Sequence, residues 1–151
     1  MCDDSRMTLS RRTLCIAYAA IALAALVATW GNNIAYLDQG FIGANAAFWR
    51  DTLANPASRS ITADIFWFGL AVFIWMILEA KRLGMRFVWL YLIVGFVVAI
   101  SVTVPLFLIN RERALAARES STAAGTLHPL DVAGLFLLAA GFLAYSVVAL
   151  R

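Results

Sequence analysis

Apolar residues along the chain gather into four long runs separated by short polar joints. Two of these runs, 61–78 and 87–109, flank a charged joint at 79–86 and read together as a membrane hairpin. Each comes close to the ~20 apolar residues that a helix rising about 1.5 Å per residue needs to cross a hydrocarbon core of about 30 Å. An earlier run begins at Leu14 and continues through Thr29 and Trp30 toward Asn33, which predicts a first spanning helix over 14–35. A last run opens after Pro129 and predicts a helix over 130–150. Between the first two helices, Asp38, Gln39, Arg50 and Asp51 alternate irregularly with Phe41, Ile42, Phe48, Trp49 and Leu53. A short helix lying in the membrane interface, 41–53, suits that mixture. The expected fold is therefore all-α: one membrane domain over 1–151, built as a polytopic bundle of four transmembrane helices with a short interfacial helix in the first loop and a polar linker at 110–128. No internal repeat is detectable.

Punctuation along the chain supports these divisions. Asn55 followed by Pro56 makes a helix start, with Asn as the cap and Pro at the first helical position. Gly84 suits the end of the second spanning helix. Pro105 lacks an N–H and frees the carbonyl of Ser101, which predicts a kink near that end of the third helix. Ala17, Ala20, Ala24, Ala28 and Gly31 recur at offsets of three and four, a smooth stripe on which another helix can approach closely. Ala133, Gly134, Ala140, Gly141 and Ala144 supply small positions in the fourth helix. Arg11 and Arg12 before an apolar run also open secretory signals, but no small-x-small cleavage site closes the run, so it reads as a retained helix.

Composition agrees and narrows the partners. The chain has 151 residues, 63% hydrophobic and 14% charged, far more apolar than a soluble domain. Its formal net charge of +3 sits mainly between apolar runs, so it reads as topology and contact with anionic headgroups; no nucleic acid is expected as partner. The expected partners are the lipid bilayer and a second copy or another membrane protein. Counting seven basic residues (Arg6, Arg11, Arg12, Lys81, Arg82, Arg86, Arg151) against five (Arg50, Arg59, Arg111, Arg113, Arg118) places both termini in the cytoplasm, with the chain in the cell inner (plasma) membrane.

Candidate chemistry is sparse. His128 is the only histidine and lies in the polar linker, which leaves bis-histidine haem, H-E-x-x-H zinc and E-x-x-H di-iron sites unsupported. Cys2 and Cys15 make no disulfide or metal framework. No catalytic residue, metal or cofactor is expected, and the chain does not read as an enzyme. A turn of about 100° per residue places Asp64, Phe68, Ala71, Trp75 and Arg82 on one face of the second helix, with Glu79 at its edge. Glu79 reaches Arg82 at i+3 or Arg86 across the joint, which predicts an interfacial ion pair. Asp64 must look to Arg59, Arg50 or the Asn32 and Asn33 amides.

The Asn55-Pro56-Ala57 entry, Asp64, Trp75-Met76, Glu79-Ala80, Arg82, Tyr91, Pro105-Leu106-Phe107-Leu108 and Arg111-Glu112-Arg113 form a pattern that covers most of residues 25 to 115. In these motifs the chain resembles the bacterial membrane proteins grouped as domain of unknown function 2834. The resemblance implies a small prokaryotic multi-pass protein with three core helices and brings no established activity to carry over; the fourth helix departs from its shortest version. Two functions remain as expectations. The first is a structural or accessory membrane component whose small-residue stripes pack against each other and a partner. The second is binding or transport of a small solute, ion or lipid-like molecule, with Asp64 as polar contact, Trp67 or Trp75 lining the site, and Asn33 or Ser101 assisting.

Overall fold

Local chemistry sets the helix ends in the computed structural model, which describes residues 8–118 and 129–149. The side chain of Thr8 accepts from the Arg11 N–H at 3.4 Å and starts α1 (Leu9–Asn33). A 3-10 segment (Ile34–Gln39) leads into α2 (Gly40–Asp51). Asn55 Oδ1 accepts from the Ser58 N–H at 2.9 Å and Pro56 fills the first position of α3 (Pro56–Arg82), as the Asn-Pro pair predicts. At the other end of α3 the Met85 N–H bonds to the Ala80 carbonyl and the Gly84 N–H to that of Lys81, a Schellman arrangement that needs the left-handed Gly84 (φ 59°). Then follow α4 (Val88–Val97), α5 (Ile100–Ala117) and α6 (Pro129–Ala149). Every regular element among the described residues is helical. The linker stretch 119–128, with His128, and the terminal Arg6 and Arg151 lie outside the described residues.

Contacts between elements fix their directions. Arg11 meets Glu112 while Trp30 meets Val98, so α1 and α5 run antiparallel. Along α3, Gly69 approaches Ile100, Trp75 packs on Phe107 and Glu79 bonds Arg111, so α3 and α5 run parallel. Tyr91 packs on Phe107 and Gly95 approaches Thr103, which makes α4 and α5 an antiparallel hairpin turning at Val98–Ala99. The core lies among these helices: Met76 and Ala80 of α3, Leu92 of α4 and Phe107 of α5, ringed by Val72, Phe73, Ile77, Met85, Val88, Tyr91 and Val104.

The hairpin corrects the sequence reading, which expected one spanning helix over 87–109 with a kink at Pro105. The break comes earlier, and Pro105 lies inside α5. Ala99 is extended (φ −176°, ψ 136°), and its carbonyl takes the N–H groups of Val102 and Thr103, each at 3.2 Å. The carbonyl of Val98 loses its helical donor and accepts instead from the Trp30 indole Nε1 at 3.2 Å. Two features favour the bend: the β-branched run at 97–104 has lowered helix propensity, and Gly95 lets the returning helix come close. A Cβ at Gly95 would stand 2.7 Å from Thr103 Oγ1.

Two further expectations change. The smooth stripe of α1 faces mostly outward: Ala17, Ala20, Ala24 and Gly31 are exposed and Ala28 is half-buried, whereas the buried positions of α1 are Arg11 and Ala22, on the face shared with Cys15, Tyr18, Ala25 and Thr29. In α6, Gly134 and Gly141 have open space where a Cβ would stand. The segment expected at 41–53 is helical as α2, and it folds back on the 3-10 segment: Tyr36 stacks edge-on against Phe48 and donates its hydroxyl proton to Asp51 Oδ2 at 3.0 Å. Trp49 of α2 then reaches Phe66 of α3 and Phe96 of α4, with centroids 5.8 and 6.0 Å away.

Candidate functional site: a buried string of alternating charges

Polar side chains are carried inward at one end of the helices. Glu79, near the last turn of α3, takes two hydrogen bonds from Arg82, Nε to Oε2 and Nη2 to Oε1, both 2.6 Å. The i+3 spacing stands Arg82 over Glu79 on the same face of the helix. Arg111 of α5 donates its Nε to Glu79 Oε1 at 2.7 Å and its Nη1 to Glu112 Oε1 at 2.9 Å. The other oxygen of Glu112 accepts Nη1 of Arg11, one turn into α1, at 2.8 Å. The result is a string, Arg82, Glu79, Arg111, Glu112, Arg11, in which positive and negative groups alternate and three helices are joined.

Burial separates this string from surface ion pairs. Arg11, Glu79 and Glu112 are only 6%, 8% and 4% exposed. Charges withdrawn from water need both Coulomb partners and hydrogen bonds, and each carboxylate here receives them on both oxygens. No buried side-chain nitrogen or oxygen of the described residues lacks a hydrogen-bond partner. The arrangement holds helices in register; no group of three or more His, Cys, Asp or Glu suited to a metal ion occurs among the described residues.

Of the residues singled out in the sequence, Glu79 and Arg82 do pair, but Arg86 stays exposed outside the string. Sequence spacing alone does not point to the string's other members, Arg11, Arg111 and Glu112, and the count of basic residues puts Arg111 on the opposite side from Glu79. A hairpin at 88–117 brings it back to the same end. The available signal was the Arg111-Glu112 pair closing an apolar run just as Glu79 does.

The second set of candidates is scattered. Asp64 and Trp67 are exposed on the outside of α3, and Ser101 is exposed on α5. Trp75 stands edge-on to Phe107, and Asn33 ends α1. The partners expected for Asp64 are engaged elsewhere: Arg59 bonds the Leu53 carbonyl at 2.9 Å, Arg50 pairs with Asp51 at 3.2 Å, and Asn32 bonds the Ala28 carbonyl at 2.9 Å.

Around this interior the apolar side chains point outward. Ile21, Leu23, Ile65, Phe66, Trp67, Phe68, Leu70, Ile93 and Phe96 are all exposed. Leu9–Asp51, which begins with α1, and Pro56–Arg82 are long and apolar enough to cross a membrane by length and composition. Only 6% and 11% of their most apolar windows is buried within the protein. These features define an all-helical protein with three charged side chains buried in one ion string and a largely apolar surface on its long helices. Residues 17–113 match the family described as Protein of unknown function DUF2834, and the chain belongs to that family. The matched segment holds Glu79, Arg82, Arg111 and Glu112, while Arg11 and α6 fall outside it. No curated protein and no solved structure matches the chain.

Proposed function

We propose that the protein is an integral membrane protein acting as a structural or accessory component, with α1 and α3 as spanning helices in contact with lipid and with a second copy or another membrane protein. The observation that carries this reading is the apolar exterior: Ile, Leu, Phe and Trp side chains of α1, α3 and α4 are exposed, while Arg11, Glu79 and Glu112 are buried. In water such a surface far exceeds the apolar patches a soluble monomer tolerates, whereas in lipid it is the stable arrangement. The exposed strip Ala17, Ala20, Ala24 and Gly31 supports a helix partner, because small residues allow the close backbone approach on which helix pairing in lipid depends. Nothing of that kind surrounds Asp64, whose outward position fits an end-group near headgroups better than a solute site between helices.

Two measurements test the reading. Membranes carrying a tagged copy, washed in alkaline carbonate, should retain the protein; its release into the wash would overturn membrane integration. Gentle detergent extraction followed by mass determination should then give a complex larger than one chain, and Ala24→Leu on the exposed strip should dissociate it without loss of helicity. A monomer free of any bound polypeptide would count against the accessory role.

A further inference from the structure

The hairpin of α4 and α5 rearranges the chain's charges. At the end where the ion string lies, α1, α3, α5 and the joints beside them bring eight basic side chains, Arg11, Arg12, Lys81, Arg82, Arg86, Arg111, Arg113 and Arg118, against the two carboxylates Glu79 and Glu112. The other end has Arg50 and Arg59 against Asp38, Asp51 and Asp64. Lys81, Arg86 and Arg113 are exposed and form no ion pair with a described carboxylate, while Arg118 bonds the Arg82 carbonyl at 3.0 Å and stays at the same level. A ten-residue α4 rises only about 15 Å, half of a hydrocarbon core of about 30 Å. Its tip is not left bare, since the indole of Trp30 serves the Val98 carbonyl and the Ala99 carbonyl receives two N–H groups. Backbone that turns inside a membrane is tolerated when protein groups satisfy it in this way.

We propose that α4 and α5 form a re-entrant hairpin that dips into the membrane from the basic end and returns to it, and that the basic belt so assembled is a docking surface for the headgroups of anionic phospholipids on the cytoplasmic leaflet. The proposal rests on the membrane reading above. The cations left over from the string supply the attraction: Lys81, Arg86 and Arg113 meet lipid phosphates while Glu79 and Glu112 are already occupied. The same arrangement puts the N-terminal end of α1 on the cytoplasmic side. A single crossing by α6 would carry its end at Ala149 to the opposite face, in place of two cytoplasmic termini.

Sidedness is read from single cysteines introduced as Ala54→Cys, Arg86→Cys and Arg113→Cys after Cys2 and Cys15 are replaced by Ser. With a membrane-impermeant maleimide, positions 86 and 113 should react in inside-out vesicles and position 54 in intact spheroplasts. If position 113 reacts on the same side as 54, the segment crosses as one helix and the proposal is overturned. If all three react from both sides, the membrane reading fails together with it. For the lipid, the purified protein is mixed in detergent with phosphatidylglycerol or phosphatidylcholine, and retained lipid is counted by native mass spectrometry. Phosphatidylglycerol should be retained about tenfold over phosphatidylcholine, and Lys81→Gln/Arg86→Gln/Arg113→Gln should abolish the preference while the ion string stays intact. Equal retention of the two lipids by the unaltered protein would overturn the docking surface.

Discussion

Glu79 is a residue on which much depends, because it receives guanidinium groups from two helices, Arg82 of α3 and Arg111 of α5. Glu79→Gln leaves Arg82 and Arg111 facing a neutral amide, and removing one partner of a buried ion pair costs about 3 kcal/mol or more. The expected result is a clear fall in thermal unfolding temperature in detergent. In the Glu79→Gln/Arg111→Gln double variant the two losses should be less than additive, since both changes break the same link. Gly95 sets a different limit, one of space. Gly95→Ala drives a methyl group against Thr103 Oγ1 and should destabilise by about 1–3 kcal/mol, and Thr103→Ala in the same chain should restore part of that loss. The pairing of Glu79 with Arg82 was legible in the sequence because it needs only the pitch of one helix. Its second partner was not, because Arg111 returns to the same level only after the chain reverses at Val98–Ala99.

The reversal itself is an element-scale property held by one side chain from elsewhere. Trp30 sits at the end of α1, and its indole proton occupies the Val98 carbonyl that the helix has abandoned. Trp30→Phe keeps an aromatic, though smaller, ring and removes the donor, so an unsatisfied carbonyl should cost about 1–3 kcal/mol. Hydrogen exchange should then accelerate at the Val102 and Thr103 amides, which bond to the neighbouring Ala99 carbonyl. Exchange unchanged from the parent protein would show that the bend does not depend on α1. Ends governed by local chemistry were readable in advance: Asn55 caps α3 and Gly84 closes it. The division of 87–109 was not, because an apolar run of that length suits one crossing as well as two shorter helices folded together. What separates the two outcomes is the room at Gly95 and the donor at Trp30, each defined only by residues brought near in space. Likewise the alanine stripe of α1 had the right spacing for packing, but the face with Tyr18, Ala22 and Ala25 lies against the rest of the protein instead.

For the whole molecule, the body formed by α1 to α5 contains the buried core and all members of the ion string. By contrast, Leu135, Phe136, Leu137, Phe142 and Leu143 of α6 are exposed, and its glycines meet nothing within 4 Å. Truncation after Arg118 should therefore leave the α1–α5 body folded, with a thermal midpoint within a few degrees of the full chain in detergent. Loss of cooperative unfolding on truncation would show that α6 belongs to the same folding unit. The all-helical class followed from apolar run lengths alone. The distribution of charge between the two ends did not, since it is set by how many times the chain turns back.

A ribosome delivers this chain from one end, so the two docking points for α5 exist before α5 does. Arg11 precedes Glu112 by 101 positions, and Glu79 precedes Arg111 by 32. When the last of these segments is made, both charges that its Arg111 and Glu112 will meet are already part of the chain. Sliding by one helical turn, about 5.4 Å, would unseat both contacts together. The string thus ties α5 to a single register against α1 and α3.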